Sequence, residues 1–280
     1  MNSFRISVST ASAILNSKSS MMLTALNLRG QRLLLLLLVL GASASASFAQ
    51  DDYQRWEVYG GYSLGRIESN TSSLTFTDPG GGSNTISNLC SDQTGQMIGT
   101  NSQKFFCQRR NFNGFDASVT YNVTRYFGIK GNVTGHFKTE QFVDVFTPPG
   151  VTQTIDTRER LYNVLGGVQV KDNSRATRFK PFAHALVGFA RYTARQQQTL
   201  DLFPQFNYVA EDKETSFALK LGGGLDVRAG KRIDIRVIEF DYNPMFAGDR
   251  SYKTISGPFA FTSTGKTAHN YTIGFGIVIH

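Results

Sequence analysis

The sequence has little charge and, after its first fifty residues, no long apolar run, and each shortage excludes a class of protein. Only 18% of the 280 residues are charged, whereas 40% are hydrophobic and 12% are aromatic. This balance is too apolar for a disordered chain. A membrane-spanning helix needs about 20 apolar residues, and no segment beyond residue 49 provides them. A helical membrane protein is therefore excluded.

Helix-forming composition is also thin beyond residue 40. Glycine, threonine, asparagine and aromatic residues dominate instead, with 27 Gly, 22 Phe and 11 Tyr in the chain. Such a composition indicates β structure. The formal charge of +8 falls to +4 without the four basic residues that precede residue 50. So small an excess gives no reason to expect a nucleic-acid partner.

The first 49 residues have the order of a secretory signal peptide. Arg29 and Arg32 precede the apolar run Leu33–Leu40, and the small-residue tract Gly41–Ala49 follows. Cleavage after Ala49 would leave residues 50–280 as one mature domain. Met21 or Met22 would give a leader of more usual length, so either is an alternative translation start. An uncleaved anchor is disfavoured because small residues, not charges, follow the run.

Cys90 and Cys107 are the only two cysteines, and both lie in one polar stretch. In an oxidising compartment such a pair predicts a disulfide. A metal site is disfavoured because histidine and carboxylate partners are missing at ligand spacing. Gly222–Gly224 lies inside an alternating segment and lacks the Lys-Ser/Thr successor of a phosphate loop. No cofactor is expected.

Alternation of period two runs through the mature chain and predicts eight strands of about 10 to 13 residues. The segment Phe217–Val227 shows it most clearly, with leucines on one face and Lys220 and Asp226 on the other. In Phe179–Tyr192 both faces are apolar, and His184 is assigned to the inner one. In Arg232–Tyr242 the alternation changes parity, which a β-bulge near Val237–Glu239 would repair by keeping Arg236, Glu239 and Asp241 away from lipid.

The connections between these strands alternate between long and short, so all long loops leave one rim. This asymmetry is typical of outer-membrane barrels, which have periplasmic turns and extracellular loops. The predicted fold is all-β: an eight-stranded antiparallel up-and-down transmembrane β-barrel with four long extracellular loops and short periplasmic turns. A soluble lipocalin-like barrel is disfavoured because its inner face should be the apolar one.

This register assigns each strand residue to the lumen, the lipid or the membrane interface. The predicted lumen-facing charged or polar residues are Glu57, Asp116, Lys130, His136, Lys220, Asp226 and Arg236. The predicted lipid-facing residues are Val119, Tyr121, Val133, Val164, Leu219, Leu221, Leu225, Phe275 and Ile277. The predicted aromatic girdle contains Trp56, Tyr126, Phe217 and Tyr271.

Four segments carry a resemblance to a known family: "RLYNVLGGVQV", "FKPFAHALVGFARY", "FALKLGGGLDVR" and "IDIRVIEFDY". They resemble the small outer-membrane barrel domains of the OmpA and OmpX type, over about residues 53–280. No peptidoglycan-binding domain follows the barrel, and His280 stands where that family usually ends in an aromatic residue. The resemblance implies that the insertion machinery recognises the C-terminal strand.

The functional hypothesis is a non-enzymatic integral outer-membrane protein, exported through a cleaved signal peptide. Its loops would serve envelope integrity, adhesion or recognition, with the first loop foremost. The expected partners are outer-membrane lipid and lipopolysaccharide, and the barrel is expected to be a monomer. The alternatives are a small porin-like diffusion channel and a lipid-modifying barrel enzyme. His136 and Asp116 invite a catalytic interpretation, but no serine of comparable placement completes a triad.

Overall fold

The computed structural model describes residues 53–78, 80–147 and 150–280. The predicted signal peptide and its cleavage site lie outside these residues. No helix in the described ranges has the length and apolar character that crossing a membrane would require.

The described chain contains twelve strands, two α-helices and one short 3-10 helix. The first part comprises β1 (Trp56–Ile67), β2 (Thr71–Thr77), β3 (Ser83–Ile86), α1 (Asp92–Ile98), α2 (Thr100–Cys107), β4 (Arg110–Asn122), β5 (Phe127–Phe146) and β6 (Val151–Lys171). The second part comprises β7 (Phe179–Leu200), the 3-10 helix (Pro204–Phe206), β8 (Tyr208–Arg228), β9 (Ile233–Phe246), β10 (Arg250–Ser256), β11 (Ala260–Gly265) and β12 (Thr267–Ile279).

Eight of these strands close into a barrel. Each neighbouring pair in the circuit β1, β4, β5, β6, β7, β8, β9, β12 and back to β1 is antiparallel. Closure leaves no unpaired sheet edge, which is the condition for a β-structure to cross lipid. The predicted fold class is therefore confirmed.

The long loops are more ordered than the sequence suggests. Strands β5 to β8 have 20 to 22 residues each, so the predicted length of 10 to 13 is wrong for them. A tilted strand crosses a bilayer in about 9 to 11 residues, and the remainder continues beyond the membrane at the long-loop end. In their outer halves both strand faces are mainly polar, as in "TQTIDTRER". A search for alternating apolar residues therefore does not find these parts of the strands.

The outer halves of β5 to β8 extend the same twelve-stranded sheet beyond the barrel, where β2, β3, β10 and β11 join it. The strand order there is β3, β2, β11, β10, β8, β7, β6, β5. The helices lie between its two ends: Asn101 of α2 donates to the Val143 carbonyl of β5 at 2.8 Å, and Ile86 of β3 shares a hydrophobic cluster with Phe105 of α2. We call the outer halves of β5 to β8, together with β2, β3, β10, β11, α1 and α2, the upper ring.

Strand β9 contains the irregularity that its sequence requires. Opposite β12, the pairing shifts between Gly274 and Gly276, so that Glu239 and Arg236 are opposite these two glycines. The two residues between them, Val237 and Ile238, are both exposed on the outside. One extra outward residue thus keeps the charged residues on either side of it in the lumen.

The register can be tested on β8, where Leu221 is exposed outward and Lys220 is buried inward. Leu221→Arg is expected to lower the free energy of unfolding by about 2 to 4 kcal/mol, because the charge would lie near the bilayer midplane. Val227→Arg, near the periplasmic rim, is expected to cost only about 0 to 1 kcal/mol. Equilibrium unfolding in lipid vesicles, with heat-modifiable gel migration as the check on folding, measures both. Equal costs at the two positions would contradict the assigned membrane depth.

Candidate functional site

The lumen of the eight-stranded barrel is filled by ionisable side chains that pair with one another. All seven predicted lumen residues are buried there, and Lys130, Lys220 and Arg236 are each only 1% exposed. Alternation along each strand directs these side chains inward, and the eight strands bring them together from distant parts of the sequence. We call this set of paired charges the plug.

One continuous series of contacts runs through the plug. Lys171 bridges Glu57 and Asp226, with 2.8 Å to each carboxylate. Asp226 also accepts two bonds from the Arg236 guanidinium, at 2.8 and 3.1 Å. Arg236 continues to Glu239 at 3.0 Å. The forked contact between Arg236 and Asp226 is the strong form of ion pair.

Aromatic rings complete the surroundings of Arg236. Its guanidinium carbon lies 4.0 Å from the centre of the Tyr59 ring and 4.1 Å from that of Phe182. Both rings present their π-faces to the cation, which stabilises a charge removed from water. Arg236 is thus held by two carboxylates and two rings, and it occupies space that an open pore would need.

A second group of contacts adjoins this series at Glu239. Lys220 contacts Asp116 at 2.6 Å and Asp241 at 2.9 Å, and Asp116 also accepts from the Asn132 amide at 2.6 Å. The Asp241 carboxylate further contacts His184 at 3.0 Å. Asp116 therefore serves as a partner of Lys220, and its carboxylate is satisfied within the plug.

His184, Glu239 and Asp241 are close enough together to suggest a metal site. Each is already in contact with a cationic side chain: Lys130 with His184 at 3.2 Å, Arg236 with Glu239 and Lys220 with Asp241. These three cations supply the positive charge that a metal ion would bring. The cluster is better described as part of the plug.

Three plug residues were missed by the sequence analysis: Lys171, Lys180 and Asp234. Lys180 and Asp234 pair at 2.8 Å, and the same carboxylate contacts His280 at 2.8 Å. All three missed residues lie near strand ends: Lys171 is the last residue of β6, and Lys180 and Asp234 are the second residues of β7 and β9. Extending the parity of Gln169, His184 and Arg236 by one or two steps would have found them.

Most of the predicted lipid-facing residues are exposed on the outer surface. Leu219 and Leu225 differ in being half-buried, while the other seven are exposed: Val119, Tyr121, Val133, Val164, Leu221, Phe275 and Ile277. Of the predicted girdle, Trp56 and Tyr126 lie at the short-turn end. Phe217 and Tyr271 lie toward the upper ring, where the Tyr271 ring packs at a tilt against Tyr242, with 5.4 Å between the ring centres.

His136 does not meet Asp116. Its Nε2 atom instead lies 3.0 Å from the hydroxyl of Ser63, a pair that sequence reasoning missed although Ser63 has the inward parity of β1. The His136 ring is completely buried. Its Nδ1 atom has no hydrogen-bond partner in the described part of the chain. A serine–histidine pair without an orienting carboxylate or an opening is a poor nucleophilic site.

The plug ends below the upper ring at a compact polar cluster. Arg110 binds both carboxylate oxygens of Glu159, which also accepts from the Tyr192 hydroxyl. The Arg110 guanidinium lies 4.5 Å from the centre of the Phe105 ring, which belongs to α2. This cluster separates the charged lumen from the apolar interior above it.

The first long loop is fixed to the barrel at the start of α2 and is cross-linked within itself at the end of α2. Asp144 of β5 accepts from the backbone N–H groups of Asn101 and Ser102 at 2.7 and 2.8 Å, which satisfies donors at the helix start. Gly99 precedes the helix with φ 95°, and a Cβ there would lie 2.3 Å from the Asp144 carboxylate. At the other end, Cys107 forms the disulfide with Cys90, with 5.6 Å between their Cα atoms.

The model of the "outer membrane protein beta-barrel domain" matches residues 33–278. The chain belongs to this outer-membrane β-barrel family. The predicted resemblance to small outer-membrane barrels is thereby confirmed. A comparison with curated proteins finds no match.

Several solved outer-membrane proteins are similar to this outer-membrane barrel protein. Ail, the attachment invasion locus protein of Yersinia pestis, is 12% identical, with 81% of this chain and 100% of that chain covered and a TM-score of 0.36. OprG of Pseudomonas aeruginosa is 13% identical, with 82% and 97% covered and a TM-score of 0.41. The outer membrane protease OmpT of Escherichia coli is 10% identical, with 84% and 98% covered and a TM-score of 0.45.

The plug of the outer-membrane barrel protein can be tested at Lys171. Lys171→Met is expected to lower the free energy of unfolding by about 3 to 5 kcal/mol, because the buried Glu57 carboxylate loses its cation. Asp226 keeps Arg236 as a partner. Adding Glu57→Gln to Lys171→Met is expected to restore most of the loss, and unfolding in vesicles measures each variant. A double variant no more stable than Lys171→Met would show that Glu57 is not charged in the barrel.

Proposed function

We propose that this protein is a non-enzymatic outer-membrane scaffold, exported through a cleaved signal peptide, whose closed lumen supports an extracellular recognition structure. The observation that carries this proposal is the plug. Its lysine and arginine side chains are buried and each contacts at least one carboxylate. An eight-stranded barrel has an interior just wide enough for side chains to fill, and here paired charges fill it.

The runner-up function, a small diffusion channel, requires a continuous aqueous path. Such a path would have to pass Arg236 between its two aromatic rings and then the Arg110–Glu159 cluster. Separating a buried ion pair leaves uncompensated charges, at a cost of several kcal/mol. This cost argues against steady conduction through the resting barrel.

An enzymatic role finds little support among the described residues. OmpT is a protease by its description, and that activity is a property of OmpT. In this chain the nearest arrangement to a nucleophile and base is Ser63 with His136, and both side chains are buried beneath the upper ring. A polymer substrate could not reach the serine hydroxyl without opening the plug.

A recognition role is supported by the order of the extracellular region. The first loop contains the β2–β3 hairpin, both helices and the disulfide, and its hairpin tip exposes Gly80–Gly82 with Gly81 at φ 85°. Arg250 further ties β10 to β8 through Asp212 at 2.8 Å. A surface held in one conformation loses less entropy when it binds a partner. Adhesion, recognition or envelope integrity would each use such a surface.

Planar-bilayer recordings test the closed lumen. The wild-type barrel is expected to show no steady current, because the paired side chains leave no aqueous path. The double variant Asp226→Ala with Arg236→Ala removes both charged side chains of a central ion pair. The contacts of Lys171 with Glu57 and of Lys130 with Glu239 remain. This variant is expected to conduct. A reproducible large conductance of the wild type would favour the channel and overturn the scaffold.

The partner that we propose on the membrane side is the phosphorylated glycolipid of the outer leaflet. Four arginines support it: Arg158, Arg160, Arg191 and Arg195, all exposed on the outer face of β6 and β7. They begin two residues above the outward aromatic positions Tyr162 and Phe189, about 7 Å along the strand. This level corresponds to the lipid headgroups.

The arrangement of these arginines is unfavourable without an anion. Arg158 and Arg195 are directly opposite each other across the β6–β7 ladder, where like charges repel. The carboxylate opposite Arg195 on β8 is Glu211, and it pairs with Lys213 at 2.8 Å instead. No described carboxylate lies within ion-pairing distance of the four guanidinium groups. Phosphate groups would neutralise them, since arginine binds phosphate in a forked geometry.

This partner can be tested by removing the four charges. Replacing Arg158, Arg160, Arg191 and Arg195 by glutamine is expected to abolish the extra stability that lipid A gives to the barrel in phosphatidylcholine vesicles. That stability should be on the order of 1 kcal/mol per cation and should fall as salt is added. The matched control replaces four exposed cations at the periplasmic rim by glutamine: Arg175, Arg178, Lys231 and Arg232. Equal losses in both variants would contradict the proposal.

A further inference from the structure

The upper ring encloses a cavity of about 240 Å³ that no step of the proposed function has used. We call it the upper chamber. All eight strands of the upper ring, β2, β3, β5, β6, β7, β8, β10 and β11, and both helices contribute to its wall. The cavity is therefore the interior of the upper ring. It lies above the Arg110–Glu159 cluster, on the extracellular side of the sealed lumen.

The lining of the upper chamber is the chemical opposite of the plug. Aromatic and aliphatic side chains dominate it, including Phe76, Phe105, Phe142, Ile155 and Phe261. None of its described lining residues is charged. These side chains face the interior, so contact with lipid does not account for them. An apolar cavity of about 150 Å³ is enough to hold benzene, and this one is larger.

Polar groups in the chamber are few: besides the hydroxyl groups of Ser102, Tyr208 and Tyr252, three glutamines lie together on β6 and β7. Gln153 donates to Gln198 at 3.0 Å, so these two amides satisfy each other in part. The neighbouring Gln196 is 8% exposed. Its side-chain amide has no hydrogen-bond partner among the residues that the structure describes. Because the Gln196 amide lines the cavity, its N–H and carbonyl groups can bond to a molecule held there.

Two tyrosines in the lining are held in their neutral form. Burial raises the pKa of Tyr208 well above its usual value, and burial together with the Asp212 charge raises the pKa of Tyr252 to about 12. Neither phenol ionises at physiological pH. The chamber therefore offers no charge of either sign to a ligand.

We propose that the upper chamber binds a small, uncharged, mostly apolar molecule of roughly ten heavy atoms that carries one hydrogen-bonding group. The apolar part fills the space among the phenylalanines, and the polar group bonds to the Gln196 amide. This inference rests on the proposed function, for which it names the class of ligand recognised.

The ligand enters and leaves on the extracellular side. Met97 lines the chamber and is 64% exposed, which marks the part of the lining that is open to solvent. The opposite side is closed by Phe105 and Phe142, whose rings pack edge to face, and by Arg110 beneath them. A bound molecule thus stays in the chamber and does not pass into the barrel lumen.

The test uses the full-length mature protein in lipid nanodiscs with labelled isoleucine methyl groups. The probes are 2-naphthol, which has a hydroxyl group, and naphthalene, which lacks one. Saturable shifts are expected at Ile86, Ile98 and Ile155, which line the chamber. Ile235 and Ile277 are exposed on the outer face and report partitioning into lipid, which does not saturate in the same range.

Three variants separate the parts of the proposal. Gln196→Leu is expected to weaken 2-naphthol binding about three- to tenfold, the value of one hydrogen bond, and to leave naphthalene within twofold. Ile155→Trp fills the chamber and is expected to abolish the saturable shifts of both probes. The matched control Ile277→Trp places the same side chain on the outer face and is expected to change neither.

The outcomes are distinguishable from those of the conductance test. Shifts confined to Ile235 and Ile277, or saturable shifts that persist in Ile155→Trp, would overturn the chamber as a binding site. Equal weakening of both probes by Gln196→Leu would overturn the role of the amide. A conducting wild-type lumen would overturn the proposed function without changing these methyl shifts.

Discussion

The barrel wall is one β-sheet thick, so every side chain in it faces either the lipid or the lumen. A charge has no third location, and the lumen is too narrow to hydrate it. Each lumen charge must therefore find its partner on another strand. The network from Glu57 through Lys171, Asp226 and Arg236 to Glu239 satisfies that requirement. It links β1, β6, β8 and β9, so the pairing of charges also fixes how these strands are placed around the barrel.

The same constraint explains the bulge in β9. Arg236 and Glu239 are three residues apart, which in a regular strand would place one of them in lipid. The two consecutive outward residues Val237 and Ile238 return Glu239 to the lumen. A local irregularity of the backbone costs less than a charge near the bilayer midplane, which costs about 2 to 4 kcal/mol. The position of the bulge thus follows from the charge pattern of the strand.

Alternation, together with the long and short connections, predicted the closed eight-stranded barrel. It also assigned Lys220 and Asp226 to the inner face, because lipid imposes a strict apolar face on the other side. It could not predict the upper ring. Outside the membrane both faces of a strand are compatible with polar residues, so the outer halves of β5 to β8 carry no apolar period. The Ser63–His136 contact and the lining of the upper chamber depend on residues far apart in sequence, and parity places a residue on a face without naming its neighbour.

Four strands are shared by two interiors of opposite character. Along β6, the inward side chain changes from Lys171 near the periplasm, through Glu159, to Ile155 at the extracellular end. The lower interior is filled by paired charges, whereas the upper interior is lined mainly by apolar side chains. Under the proposed function, one extracellular opening of the upper chamber would serve both for entry and for exit of a solute. The occupancy of the upper chamber would then be set by the ratio of the association and dissociation rates of the solute. No net flux across the membrane would result.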